Sequence, residues 1–171
     1  MSARRHRGKV LLATLVGMAA IAWAALVNST PRIVYNPSAS AARGWYAVVP
    51  SSHLRAGDLV LARLPSGIAR FAATRGYLPE TVPILKRIAA VAGQQVCEQH
   101  GIVRIDGAVT ARARRHDGAG RPLDSWSGCH ALRPDELFFL NLDHEGSFDS
   151  RYFGPLDRAD VIGKAIPLWT W

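Results

Sequence analysis

Between Val10 and Val27 the chain reads VLLATLVGMAAIAWAALV, a run of apolar and small residues without a charge. At a helical rise of ~1.5 Å per residue such a run is ~27 Å long, close to the ~30 Å of a bilayer's hydrocarbon core. Arg4, Arg5, Arg7 and Lys9 stand before it with no acid among them, and basic residues of this kind stay on the cytoplasmic side. The expectation is a basic cytoplasmic tail over 1–9, a single-pass transmembrane helix over 10–27 and a body over 28–171 on the periplasmic face of the cytoplasmic membrane. A cleavable signal peptide is the rival reading. Its apolar stretch is usually shorter, ~7–15 residues, but Ala22, Ala24 and Ala25 offer the small residues that a cleavage site needs.

Half of the formal charge of +8 sits in that tail. The remaining 17 basic and 13 acidic residues are scattered, apart from Arg112, Arg114 and Arg115, which describes a solvated surface and not a nucleic-acid face. The only cysteines are Cys97 and Cys129. Outside the membrane they would form a disulfide; inside the cytoplasm they would be two buried thiols. No histidine lies at ligand spacing from either, and His144-Glu145 lacks the second histidine of a metalloprotease helix. No metal or other cofactor is expected.

After the apolar run, NSTPRIVYNPSASAARG reads as an extended linker leading into turns. GWYAVVP and Leu59 to Leu64 read as strands, and Ser66 to Leu78 as a short amphipathic helix that Gly76 stops. Pro83 to Val96 is strand-like with a turn at Gly93, and VRIDGAVTARA is a hairpin turning at Asp106-Gly107. Residues 114–128 read as a loop, while Glu136 to Leu142 and Asp160 to Leu168 supply two more strands. Short strands with frequent turn signals and one short helix predict a mainly β, antiparallel domain.

Three segments carry chemistry. Of 21 basic residues only Lys9, Lys86 and Lys164 are lysines, and Lys86 lies inside an apolar stretch with Ile84, Leu85 and Ile88. Arginine stays protonated, whereas a desolvated lysine can lose its proton and act as a base. Ser38 and Ser40, among small neighbours in NPSASAARG, offer an accessible hydroxyl. GSFDSRYFGP, over 146–155, follows a buried strand and can place a hydroxyl and a carboxylate beside an amine. Each segment alone has a plainer reading, as a strand-edge lysine, linker serines or a surface Asp–Arg pair.

Taken in this order behind one apolar run, Ser40, LKRIAAVAG and SFDSRYFGP resemble the type I signal peptidase family. They are most similar to its conjugative-transfer (TraF-type) branch, whose pattern Asn-x-Ser/Thr-x-Ser-x-Pro-x-Gly-x-Tyr is matched by Asn36, Ser38, Ser40, Gly44 and Tyr46. RGYLP, from Arg75 to Pro79, is similar to that branch as well. The resemblance spans about residues 30 to 168 and implies a signal-peptidase-like β domain and a serine endopeptidase with a Ser–Lys dyad. It implies Ser40 as nucleophile, Lys86 as general base, Ser38 as an aid to the oxyanion site and Ser147 as the partner of the lysine amine. Asp149 and Arg151 would organise that side of the site. Ala42 replaces the branch's proline, Ala92-Gly93-Gln94 its Pro-Gly-Asp, and Asn141-Leu-Asp-His-Glu the wider family's Gly-Asp-Asn turn.

The implied chemistry is proton transfer from Ser40 to a neutral Lys86 during attack on a peptide carbonyl, then transfer to the leaving amine. Water, or in this branch a substrate's own amine, would resolve the acyl-enzyme, the latter giving a cyclic product. The expected partners are the membrane, a membrane-inserted pilin-like precursor as substrate and other transfer-system components. From Val27 to Ser40 the chain can reach at most ~45 Å, which keeps the nucleophile near the membrane, where Trp45, Trp169 and Trp171 could meet the interface. A general signal peptidase for secreted preproteins, and a non-catalytic anchored scaffold, are the competing functions.

Overall fold

The computed structural model describes residues 2–26 and 32–171. It divides the chain into two units, Met1–Pro31 and Arg32–Trp171. In the first, α1 (Ser2–Leu26) is one continuous helix. Its side chains are described for residues 8–23, where the large apolar ones from Val10 to Trp23 stand exposed. Among the described residues no helix is long and apolar enough to cross a membrane. The apolar run of the sequence continues to Val27, which lies outside them.

The second unit is built from antiparallel strands. A seven-stranded sheet has the order β1-β2-β11-β3-β4-β9-β10. Its members are β1 (Ile33–Asn36), β2 (Gly44–Val49), β3 (Leu59–Ala62), β4 (Ile84–Ala90), β9 (Glu136–Leu140), β10 (Leu156–Asp157) and β11 (Val161–Thr170). A four-stranded sheet follows the order β7-β6-β5-β8, with β5 (Gln95–Gln99), β6 (Ile102–Ile105), β7 (Ala108–Arg112) and β8 (Gly128–Ala131). Two short α-helices, α2 (Ser66–Thr74) and α3 (Ser150–Phe153), and a 3-10 turn at Arg158–Asp160 complete the unit.

Alternation explains the layering. In β2 the residues Gly44, Tyr46 and Val48 turn inward while Trp45 and Val49 face out, the period of two that a strand imposes. Strands β4 and β9 are buried along nearly their whole length because both faces are covered. Ala90, Phe138 and Leu140 pack one way, against Val96, Val103 and Ile105 of the smaller sheet. Ile88, Leu137 and Phe139 pack the other way, with Val60, Leu54 and Ile68. Gly44 allows the tightest approach: a Cβ there would lie 2.1 Å from the Trp169 carbonyl oxygen. The hairpin between β6 and β7 turns at Asp106 and Gly107, with φ of 49° and 82°, the left-handed pair that a two-residue hairpin loop requires.

Two local expectations need correction. The stretch read as a linker contains a strand, β1, which pairs with β2 from Ile33↔Ala47 to Asn36↔Gly44. The polar stretch over 146–155 contains a second short helix, α3, which Asp149 caps by accepting from the Arg151 N–H. The cysteines face each other across β5 and β8 and are joined, Cys97 to Cys129.

Candidate active site

The loop holding Ser38 and Ser40 leaves β1 at Asn36, whose side chain is buried. Asn36 Nδ2 donates to the carbonyl oxygens of Ser38 (3.0 Å), Ala41 (3.1 Å) and Ala42 (3.0 Å). Its Oδ1 accepts from the Ser38 backbone N–H (3.2 Å) and the Ser38 hydroxyl (3.1 Å). From β2 the Tyr46 hydroxyl donates to the Ala42 carbonyl at 2.6 Å. A short Pro-, Ser- and Ala-rich loop, which touches the core only through Ala41, is thus held chiefly by one amide and one phenol.

Lys86 sits in β4 opposite Val60 and points to the same face as Ile84 and Ile88, both buried. It is 5% exposed, and its Nζ donates to Ser147 Oγ at 2.6 Å. Burial pushes its pKa down from 10.5 to about 8; Asp149 opposes the shift and Arg151 adds to it. Asn141 fixes the strand on both sides of the lysine. Its Nδ2 donates to the Leu85 carbonyl (3.2 Å) and its Oδ1 accepts from the Arg87 N–H (3.0 Å).

Ser147 is held from beneath by a buried ion pair. Arg151 Nε and Nη2 donate to the two carboxylate oxygens of Asp149, each at 2.8 Å, and Asp149 Oδ2 also accepts from the Asn141 N–H. Such a bidentate pair fixes both planes. The remaining guanidinium hydrogens reach the carbonyls of Arg112, His144, Glu145 and Ser147. Asp149 and Arg151 are both buried, so this is no surface pair.

Between them, Phe148 turns the other way. Its ring stacks with Phe71 of α2 and Tyr152, and touches Tyr77 and Phe153. The Tyr77 hydroxyl donates to Asp117 Oδ2 at 2.6 Å, which also takes Arg121 Nε and Arg75 Nη1. The RGYLP segment thereby becomes the wall of a cavity of about 1120 Å³, floored by Leu61, Ile84 and Leu85 and open to Ser40, Lys86 and Ser147. An apolar cleft with a few convergent polar groups suits an extended peptide.

The structure therefore brings Ser38, Ser40, Lys86 and Ser147 to one cavity, with Asp149 and Arg151 behind it and Cys97–Cys129 in the smaller sheet. Ser40 Oγ bonds Ser38 Oγ at 2.9 Å, while Lys86 Nζ bonds Ser147; no hydrogen bond joins Ser40 to Lys86 here. Sequence reasoning assigned no role to Asn36, Asn141 or Phe148. Asn36 and Phe148 lie inside the motifs around Ser40 and Ser147, and Asn141 inside the run from Glu136 to Leu142, with nothing in the sequence to set them apart from their neighbours.

The family model for signal peptidase, peptidase S26, matches residues 5–170, and it is this match that makes the chain a serine peptidase. The chain belongs to that family. Its relatives include a probable conjugal transfer protein TraF of Sinorhizobium fredii, 35% identical over all of this chain and 95% of that protein. The conjugal transfer protein TraF of Agrobacterium tumefaciens is 35% identical over 67% of this chain and 69% of that protein. A plasmid transfer protein TraF of Escherichia coli is 28% identical over 93% and 90%. Among solved structures, a signal peptidase I of Enterococcus faecalis has a TM-score of 0.40 and 18% identity, covering 68% of this chain and 98% of that one.

Proposed function

We propose that this peptidase is a Ser–Lys endopeptidase that processes a conjugative pilin or related transfer-system precursor. Ser40 is the nucleophile and Lys86 the general base. The observation that carries the reading is a buried lysine, bonded to Ser147 and titrating at about 8, on the same cavity as a serine held in a small-residue loop. A neutral Nζ takes the Ser40 proton as Oγ attacks, then returns it to the departing amine. Ser38 assists the oxyanion, and Ser147, fixed through Asp149 and Arg151, holds the amine in line.

The apolar run from Val10 to Val27 anchors the enzyme in the cytoplasmic membrane, with the catalytic unit periplasmic. The conjugal transfer relatives favour a dedicated precursor, and resolution by the substrate's own amine would yield a cyclic product. Purified protein in detergent, offered a pilin precursor beside an ordinary secreted preprotein and an active-site acylating agent, tests this. Acylation of Ser40 with preferential pilin cleavage is expected. Equal cleavage of both would make it a general signal peptidase, and no acylation would make it a scaffold. Protease accessibility in spheroplasts tests the placement.

A further inference from the structure

The three carbonyl oxygens around Asn36 Nδ2 decide which end of this amide is which, since a flipped side chain would set oxygen against three oxygens. Oδ1 is therefore an acceptor only. The Ser38 hydroxyl, 3.1 Å from it, must be the donor, and a serine hydroxyl carries one proton. With that proton committed to Asn36, the 2.9 Å contact between Ser38 and Ser40 has Ser40 donating. One buried amide thus sets the direction of the whole chain, from Ser40 to Ser38 to Asn36.

Two consequences follow for the reaction. The proton of Ser40 is turned toward Ser38, while Lys86 is engaged with Ser147. The Ser38 hydroxyl is spent on Asn36 and has none to give an oxyanion. Both conditions have to be reversed together for catalysis to begin.

We propose that Asn36 is a positioning residue that holds Ser38 and Ser40 in this closed chain before attack and releases the Ser38 proton to the substrate's carbonyl oxygen. In the exchange Ser38 O–H leaves Oδ1 for the substrate oxygen, and Oδ1 keeps the Ser38 backbone N–H. Ser40 then turns its proton to Lys86 Nζ. The Oγ–carbonyl carbon bond forms, the carbonyl π pair moves to the oxygen, and the proton passes to Nζ. The Nδ2 bonds to residues 38, 41 and 42 are untouched throughout, so the loop keeps its place while its hydroxyls reorient. The inference rests on the Ser–Lys reading above.

A double-mutant cycle on the full chain in detergent tests it. Asn36→Ala is expected to lower kcat for precursor cleavage by ~10²-fold, the scale of one oxyanion donor, because a loop without its Nδ2 bonds no longer aims the released Ser38 hydroxyl at the carbonyl oxygen; KM should stay within about twofold. In a Ser38→Ala background the same substitution should cost at least about tenfold less, because the hydroxyl through which Asn36 acts is gone. Equal losses in the two backgrounds, or none in the wild type, would overturn the proposal, since a residue that only packs the loop acts alike in both. If Asn36→Ala fails to fold, Asn36→Ser, too short to reach the Ser38 hydroxyl and the loop carbonyls together, carries the same comparison. Failure of the unsubstituted protein to react with an acylating agent would instead refute the Ser–Lys reading.

Discussion

Lowering the pH should switch this peptidase off through Lys86, and the size of the effect can be worked out. An amine titrating at about 8 is ~9% neutral at pH 7, whereas one left at 10.5 would be ~0.03% neutral. Burial in β4 therefore raises the supply of free base roughly 300-fold, equivalent to ~3 kcal/mol. The same shift acts on stability with a definite sign. The folded pKa lies below the unfolded one, so between about 8 and 10.5 the unfolded chain binds more protons and stability rises with pH. Below about 8 both states are protonated and the full penalty of ~3 kcal/mol is present. We expect kcat/KM for precursor cleavage to fall tenfold per pH unit below about 8 and to level off above it. Lys86→Arg should remove activity at every pH, by ~10⁴-fold, because a guanidinium cannot accept the Ser40 proton. Circular dichroism would show the variant folded. A flat profile from pH 6 to 9, or a folded Lys86→Arg retaining a tenth of wild-type activity, would refute the argument.

Other outcomes follow from the same geometry. Ser40→Ala should abolish processing with an unchanged Tm, and Ser38→Ala should slow it by ~10²-fold; the reverse order of severity in a cleavage assay would exchange their roles. Asp149→Asn leaves the buried Arg151 guanidinium facing a neutral amide and should cost about 3–5 kcal/mol in urea unfolding. It should also move the acid limb to lower pH, because Asp149 holds the lysine's pKa up. Reducing Cys97–Cys129, whose positions are 32 apart, should cost ~3–4 kcal/mol in the chain-entropy model, and alkylation without reductant should modify neither cysteine in the mature protein.

The strands were legible where a continuous apolar run or the chemistry of a turn marked them. Glu136 to Leu140 and the Asp106-Gly107 hairpin are such places. Strand β1 was hidden because Pro31, Pro37 and the serines around it carry the composition of a linker, and its pairing depends on β2, a partner that only the fold supplies. Lys86 was visible as an amine in an apolar run, and Ser147 through the motif around it. That Asn36 and Asn141 brace the two halves of the site was not visible, since an asparagine beside a turn looks the same in sequence whether its amide faces solvent or three carbonyls. Asp149 and Arg151 were named through the same motif as Ser147, but their burial was not legible, because it is decided by the carbonyls of residues 141–147 closing over the guanidinium.

Phe148 bears on how such an enzyme can diversify. Helix α2 and the turn carrying Tyr77 form no ladder with either sheet; they rest on the domain by side-chain packing, with Phe148 stacked beneath Phe71 and against Tyr77. The wall that a peptide meets is thus a detachable part, whereas the base and its partner belong to the strands and the loop behind them. Residues 66–82 can be redrawn without touching the reaction centre, provided that the packing of Ile68 on Ile88 and Phe139, the aromatic seat on Phe148 and the Tyr77–Asp117 bond are kept. A chimera carrying that stretch from a relative would inherit the relative's choice of peptide and keep its own chemistry.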